Sequence, residues 1–331
     1  MQSFFKKLPR YSLRLLLAYL VYIFTGGVLA YLLPRQARNL PQTDSFYGIG
    51  RGPDRAVLVE EPQDAFARRV EVIRTAQSTL DVCYHCVKSG ETTECFFAEL
   101  LRAADRGVRV RVLLDGTVGG LSGARSNIAL ALRAHPNIEY RIYNPVDLLR
   151  PWEWNALLHD KFILADDRML LLGGRNIGDE YFAPPGYEGA VTYDRDVLVL
   201  NDLAGTPDSS ESVTAQAKIY MDTLWDAPET DKFGTLSPSR RADGLAAQEY
   251  LKETAARWEA AAPSFYLPSE PASQCAVPTQ RVTLLHNPVS PFKKEPTLGA
   301  TLAQLLSGCQ KIRLQTPYAT ANPSTLAALT R

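Results

Sequence analysis

Leu15 to Leu33 is a run of 19 residues without a charge, interrupted only by Thr25 and the pair Gly26-Gly27. Few structures can hold such a run. As a helix rising ~1.5 Å per residue it nearly matches the ~30 Å hydrocarbon layer of a membrane, whereas a soluble helix apolar on every side is uncommon. Lys6, Lys7, Arg10 and Arg14 precede the run, Arg35 and Arg38 follow it, and no acidic residue occurs up to Arg38. The positive-inside rule therefore predicts an uncleaved anchor with a cytoplasmic N-terminus and an exported body. Tyr19, Tyr22 and Tyr31 are expected at or near the membrane interfaces. A cleaved signal peptide ending at Val28-Leu29-Ala30 is the competing reading, but the run exceeds the ~7–15 residues of a signal core.

Setting aside those six cations leaves 30 Lys and Arg against 36 Asp and Glu, so the remainder of the chain is net acidic. Nucleic-acid enzymes usually present a basic surface, and no nucleic-acid partner is expected. The five cysteines, Cys83, Cys86, Cys95, Cys275 and Cys309, give no self-contained disulfide set. Cys83-Tyr84-His85-Cys86 continues a strand-like run and has no second CxxC to complete a zinc tetrad, so core or loop cysteines are expected.

After a polar stretch at residues 39–55, helix and strand signals alternate. Helical spacing marks Ala65–Ala76, Phe96–Arg106 (stopped at Gly107) and a segment around Asn127–Ala134. Strand patterns mark Ala56–Val59, Leu80–Tyr84, Val108–Leu114 (ending at Asp115-Gly116) and Ile138–Tyr143. Two apolar runs, Ala156–Leu164 and Met169–Leu172, flank a short turn and predict a hairpin. A strand at Val197–Leu200, a helix at Thr214–Trp225, a loop at Asp226–Gly244 and a helix at Leu245–Ala262 follow. The pattern predicts an α/β domain, its sheet sandwiched by helices. Strands at Val282–Leu285 and Lys311–Leu314, a helix at Leu298–Leu306 and a helical start at Thr325–Leu329 repeat the opening order, as the truncated beginning of a second copy. The expected division is an anchor at 1–38, a linker at 39–55, a first domain at 56–270 and an incomplete second domain at 271–331.

The chemistry concentrates in His159-x-Lys161, Asp166 four residues on, and Gly173-Gly174-x-Asn176. On a strand, His159 and Lys161 project to one face and Asp160 to the other. Asn176 lies just past the partner strand, where Gly173 and Gly174 permit close backbone approach. An imidazole, an ammonium and an amide converging on one spot suit a phosphodiester. The cation and amide hold non-bridging oxygens, and a neutral imidazole can attack phosphorus. His85, His135 and His286 lack a lysine two residues on and read as loop or core histidines. Asp115-Gly116 is explained by a turn, although it could line the cleft. Trp152 and Trp154 suit either contact with acyl chains or the bilayer interface, or ordinary packing.

This pattern resembles the signature of the phospholipase D superfamily over residues 56–200. The string Gly173 to Phe182 is similar to the bacterial cardiolipin synthase C-type branch. The resemblance implies a phospholipase D-like mixed sheet and a phosphatidyltransferase acting through a phosphohistidine. Phospholipase D or nuclease hydrolysis, or an inactive lipid-binding fragment, are the alternatives. It implies His159 as nucleophile or general acid, and Lys161 and Asn176 as phosphate-binding residues, with Gly174 beside them. It implies Asp166 as the motif aspartate, in a turn position that suits a structural role. Asp196, or alternatively Asp194, would hold the far ring nitrogen of the histidine. No metal or cofactor is expected. The partners would be phospholipids such as phosphatidylglycerol, the membrane, and a second motif from a longer chain or a homodimer. Without that second motif the 331 residues are expected to be inactive.

Overall fold

The computed structural model describes residues 2–32, 35–290, 292, 294–313 and 326–327. They divide into two compact units, one of residues 44–145 and 157–284, the other of residues 1–43, 146–156 and 285–331.

The larger unit opens with β1 (Asp54–Val59), α2 (Pro62–Thr75) and β2 (Thr79–Tyr84), after the helix α1 (Gln2–Gly27) of the other unit. There follow α3 (Glu91–Asp105), β3 (Arg109–Asp115), α4 (Ser126–Ala134) and β4 (Ile138–Tyr143), then the hairpin β5 (Lys161–Ala165) and β6 (Met169–Gly173). The short α5 (Asp179–Phe182), β7 (Asp196–Asn201), α6 (Val213–Trp225) and β8 (Thr230–Lys232) come next. α7 (Pro238–Ala261), α8 (Pro263–Tyr266), α9 (Ala272–Cys275) and β9 (Val277–Pro278) complete the unit. Among the described residues nine strands form one mixed sheet in the order β8-β4-β3-β2-β5-β6-β7-β1-β9. β2 runs parallel to β3, and β3 to β4; the other pairs are antiparallel.

Strand alternation sends Ile163 and Ala165 into the main core with α2 and α3, while Phe162 on the opposite face meets Tyr220 of α6, ring centroids 6.5 Å apart. The sheet is thus covered on both faces, as the alternating pattern predicts. α2 begins with Pro62 at its first turn, where the missing N–H costs nothing. Its Phe66 stacks on Phe265 at 4.5 Å and meets Phe182 and Tyr266 edge-on. α3 has Glu91 and Glu94 in its first turn, complementing the helix dipole, and its chain turns at Gly107, φ +93°.

Three expectations need correction. The strand predicted at Ala156–Leu164 begins only at Lys161, leaving His159 in the approach to it. The loop predicted at Asp226–Gly244 contains β8 and then the start of α7. Pro238 sits at the first helical position after Ser237, whose side chain accepts from the Arg240 N–H, so this pair starts the helix inside the stretch expected as loop. Val282–Leu285 and Lys311–Arg313 form no strand among the described residues, and the Leu284 N–H is served instead by Gln216 Oε1 at 3.0 Å. An extended segment without a neighbour leaves its backbone groups unpaired, so apolar alternation alone does not make a strand. Leu314, Thr325, Ala328 and Leu329 lie outside the described residues. The stretch predicted as linker ends inside β1, and Val277–Pro278, predicted within a second domain, pairs with β1.

In the smaller unit, residues 11–31 make a helix long and apolar enough to cross a membrane, by length and composition, and none of that window is buried. A further helix, α10 (Thr297–Ser307), falls where helical spacing predicts one.

Candidate active site

The β5–β6 hairpin presents His159 and Lys161 at one end and Asp166 at the other. Asp166 and Asp167 have φ of +50° and +54°, a left-handed conformation that aspartate tolerates better than most residues. The Asp166 carboxylate accepts the N–H groups of Gln77, Ser78 and Thr79 at 2.5, 2.8 and 2.7 Å. It therefore rivets the hairpin to the α2–β2 connection and sets β5 in register beside β2. Asp166→Ala should lower stability by ~1–3 kcal/mol, the usual range for orphaned partners of a charged acceptor. The midpoint of denaturant unfolding measures this; an unchanged midpoint would contradict the role.

Lys161, 5% exposed, pairs with Tyr84 across the β5–β2 register. Its Nζ donates to the His159 carbonyl at 2.6 Å and lies 3.2 Å from His159 Nδ1. An ammonium only donates, so Nδ1 accepts in this arrangement and the neutral ring carries its proton on Nε2. Burial lowers the Lys161 pKa, opposed by nearby carboxylates, Asp160 and Asp194 among them.

Two residues that the sequence left aside join this centre. The His85 ring lies 4.4 Å from that of His159. Its Nδ1 donates to the Leu158 carbonyl at 2.9 Å, while the Leu158 N–H donates to Asp115 Oδ2 at 2.8 Å. Asp115, fully buried, also accepts from the Thr117 and Val118 N–H groups, both at 2.9 Å. The Leu158 peptide is thereby gripped on both sides, one residue before His159. The available signal was topological: His85 directly follows β2 and Asp115 ends the parallel β3, and side chains just past parallel strands gather at one sheet edge.

Burial lowers the His159 pKa below the ordinary histidine value, Lys161 and then His85 lower it further, and Asp115 opposes them. His85 is lowered too, by burial and then by Lys161. The His159 imidazole therefore stays neutral at pH values where a free one is partly charged. In an NMR titration, Lys161→Met should raise the His159 pKa towards its usual ~6.5; no rise would contradict the coupling. Because both folded values are depressed, the unfolded chain binds more protons as pH falls. The histidine contribution to stability is thus complete above ~6.5 and lost on acidification through and below it.

Asn176 is held beside His85: its Oδ1 accepts the Cys86 N–H at 3.1 Å and its Nδ2 donates to the Tyr181 hydroxyl at 3.1 Å. One amide hydrogen remains for a ligand. The two glycines also leave room for acidic side chains. A Cβ at Gly173 would lie 2.0 Å from Asp196 Oδ1, and one at Gly174 would lie 2.1 Å from Asp194 Oδ1. Each glycine makes room for a carboxylate. Asp194 acts electrostatically on Lys161.

Asp196 has different partners from those expected of it. Its Oδ2 accepts from Arg69 Nη1 at 2.9 Å and Arg175 Nη1 at 3.0 Å, with all three side chains buried. Burial alone would raise its pKa, but the two guanidinium groups outweigh burial and hold the carboxyl below its usual range. Arg69 Nε also donates to the Tyr84 hydroxyl at 3.0 Å, and burial pushes that hydroxyl up to about 12. Asp196 thus balances two buried cations and is not placed to hold the histidine ring. Among the described residues no group of three or more His, Cys, Asp and Glu side chains is arranged for a metal ion.

Residues 70–199 match the family model described as cardiolipin synthase, PLD-like domain. Over 152 residues the chain is 39% identical to cardiolipin synthase C of Escherichia coli (strain K12), covering 43% of this chain and 31% of that protein. It is 29% identical over 164 residues to a cardiolipin synthase of Geobacillus thermodenitrificans (strain NG80-2), covering 47% of this chain and 32% of the relative. Among solved structures, NucT from Helicobacter pylori superposes with a TM-score of 0.42 at 15% identity, over 54% of this chain and 99% of that one. The matching segment spans about a third of the length of these curated relatives.

Proposed function

Because this chain carries a cardiolipin-synthase-like domain of the phospholipase D superfamily, we propose that the protein moves a phosphatidyl group between phospholipids through His159, forming cardiolipin. The observation that carries this reading is the contact of the imidazole with a buried lysine, His159 Nδ1 lying 3.2 Å from Lys161 Nζ.

In the proposed step a non-bridging phosphate oxygen engages Lys161 and draws Nζ away from Nδ1. The ring then attacks phosphorus, forming the N–P bond as the P–O bond to the leaving headgroup alcohol breaks. The leaving oxygen takes a proton from a second histidine motif, supplied by further chain or by a second copy. That histidine, now basic, deprotonates the hydroxyl of the acceptor lipid, whose oxygen displaces His159. Asn176 offers its remaining amide hydrogen to a phosphate oxygen, and Asp160 and then Asp194 are the carboxylates that act on Lys161.

Incubating full-length protein in membranes with labelled phosphatidylglycerol and resolving the lipids tests this. Cardiolipin is the expected product. Phosphatidic acid alone would identify a hydrolase acting through the same intermediate, and no turnover of either kind would overturn the reading. The cation bias around α1 supports a single-pass anchor in the cell membrane with the body outside. Protease added to intact cells should then cut the body; a protected body would reverse the orientation.

A further inference from the structure

The loop 146–156, in the same unit as α1, turns apolar side chains outward: Leu148 is 61% and Leu149 72% exposed. It is built onto α1 in a specific way. A Cβ at Gly26 would lie 3.0 Å from Cγ of Pro151 and 3.2 Å from Cε3 of Trp152, and one at Gly27 would lie 3.2 Å from the Pro151 carbonyl oxygen. The glycine pair in the apolar helix is therefore the seat of Pro151-Trp152, as small residues commonly are where backbones meet in membranes. The Trp152 ring stands edge-on to Tyr22, 6.1 Å between centroids.

Three tyrosines of this segment spend their hydroxyls on the loop's backbone. Tyr19 donates to the Leu148 carbonyl at 2.8 Å, Tyr22 to that of Leu149 at 2.5 Å, and Tyr31 to that of Trp152. Trp154 Nε1 serves the Asp147 carbonyl at 2.7 Å. The cation of the loop, Arg150, is paired with Asp147 at 3.4 Å and Glu153 at 3.5 Å. In water, solvent satisfies an exposed loop's carbonyls. In hydrocarbon nothing does, and irregular backbone persists there only when protein groups satisfy it.

We propose that residues 146–154 are a membrane-embedded loop, so that α1 and the loop form a two-part insert at the boundary of headgroups and acyl chains. A lipid surface is the occupant that fits. The exposed leucines continue the uncovered apolar surface of a helix long enough to span, and the carbonyls beneath them already have protein donors. Trp152 and Trp154 are residue types that favour the interface. This inference rests on α1 as a membrane span and is independent of the phosphatidyl chemistry.

The test is tryptophan emission of the full chain reconstituted in phosphatidylcholine vesicles with brominated or plain acyl chains. Brominated chains should quench the wild type, and the Trp152→Phe/Trp154→Phe variant should lose that quenching. Leu148→Lys/Leu149→Lys should lose it as well, while alkaline carbonate still fails to extract the protein. Equal wild-type emission in both vesicles would overturn the proposal. So would unchanged quenching in either double variant, concentration-dependent crosslinking through the loop in place of quenching, or extraction of the wild type by carbonate. Failure to form cardiolipin would leave the quenching result standing, which separates this proposal from the functional one.

Discussion

If His159 is the nucleophile proposed above, its replacement by alanine should bring lipid turnover to background, a loss on the order of 10⁴-fold or more, as for removal of catalytic nucleophiles elsewhere. The size follows from the absence of a substitute. An ammonium at Lys161 has no lone pair with which to attack, and His85 donates Nδ1–H to the Leu158 carbonyl as part of the grip on that peptide. The fold should survive, because His159, though partly screened by the groups around it, keeps a large share of its surface open to solvent and touches Lys161 Nζ and the His85 ring. Lipid product formation and a thermal melt of the same preparation check both halves. Retained turnover with an intact fold would place the nucleophile elsewhere.

Asp196→Asn should act in the opposite manner, through stability. The substitution is almost isosteric, but it leaves the buried guanidinium groups of Arg69 and Arg175 without their counter-charge. Orphaning a buried ion pair typically costs ~3–5 kcal/mol. For a domain of this size that corresponds to a melting temperature lower by ~6–20 °C. The pH dependence supplies a second signature. Because the folded carboxyl is held below its ordinary value, its contribution is present above the unfolded pKa of ~3.9 and lost as pH falls through the lower folded value. Asp196→Asn should lack that acid step. Adding Arg69→Met and Arg175→Met should recover part of the loss, since apolar replacement of a whole buried ionic cluster is often nearly neutral. A melt unchanged by Asp196→Asn would refute the clamp.

How much of this was legible in the sequence depends on the range of the signal. Helices such as Ser126–Ala134 and strands such as Ile138–Tyr143 are local patterns, and they fall where apolar periodicity places them. The hairpin and the pairing of His159 with Lys161 were equally plain, although the strand starts later than its apolar run implies. Sheet order was not legible, because insertion of β5 between β2 and β6 depends on contacts distant in sequence. His85 and Asp115 went unweighted for that reason: what makes them neighbours of His159 is the parallel β2–β3 pair. Asp196 was misjudged because arginine is ordinarily an exposed residue, and nothing in the sequence marks Arg69 and Arg175 as buried. Gly173 and Gly174 permit close approach, as their type suggests, but nothing local tells that Asp196 and Asp194, about twenty residues further along, are among the groups that approach.

The tip of a β-hairpin is ordinarily where a protein accepts insertions, tags or a new terminus, since few contacts depend on it. The turn after β5 is an exception. Three backbone N–H groups of a neighbouring connection end on Asp166, so lengthening this turn would unfasten β2 from β5 and loosen Lys161 at the far end. For anyone re-engineering the molecule, the permissive sites lie elsewhere, and this apparently free corner should be treated as part of the frame that sets Lys161 beside His159.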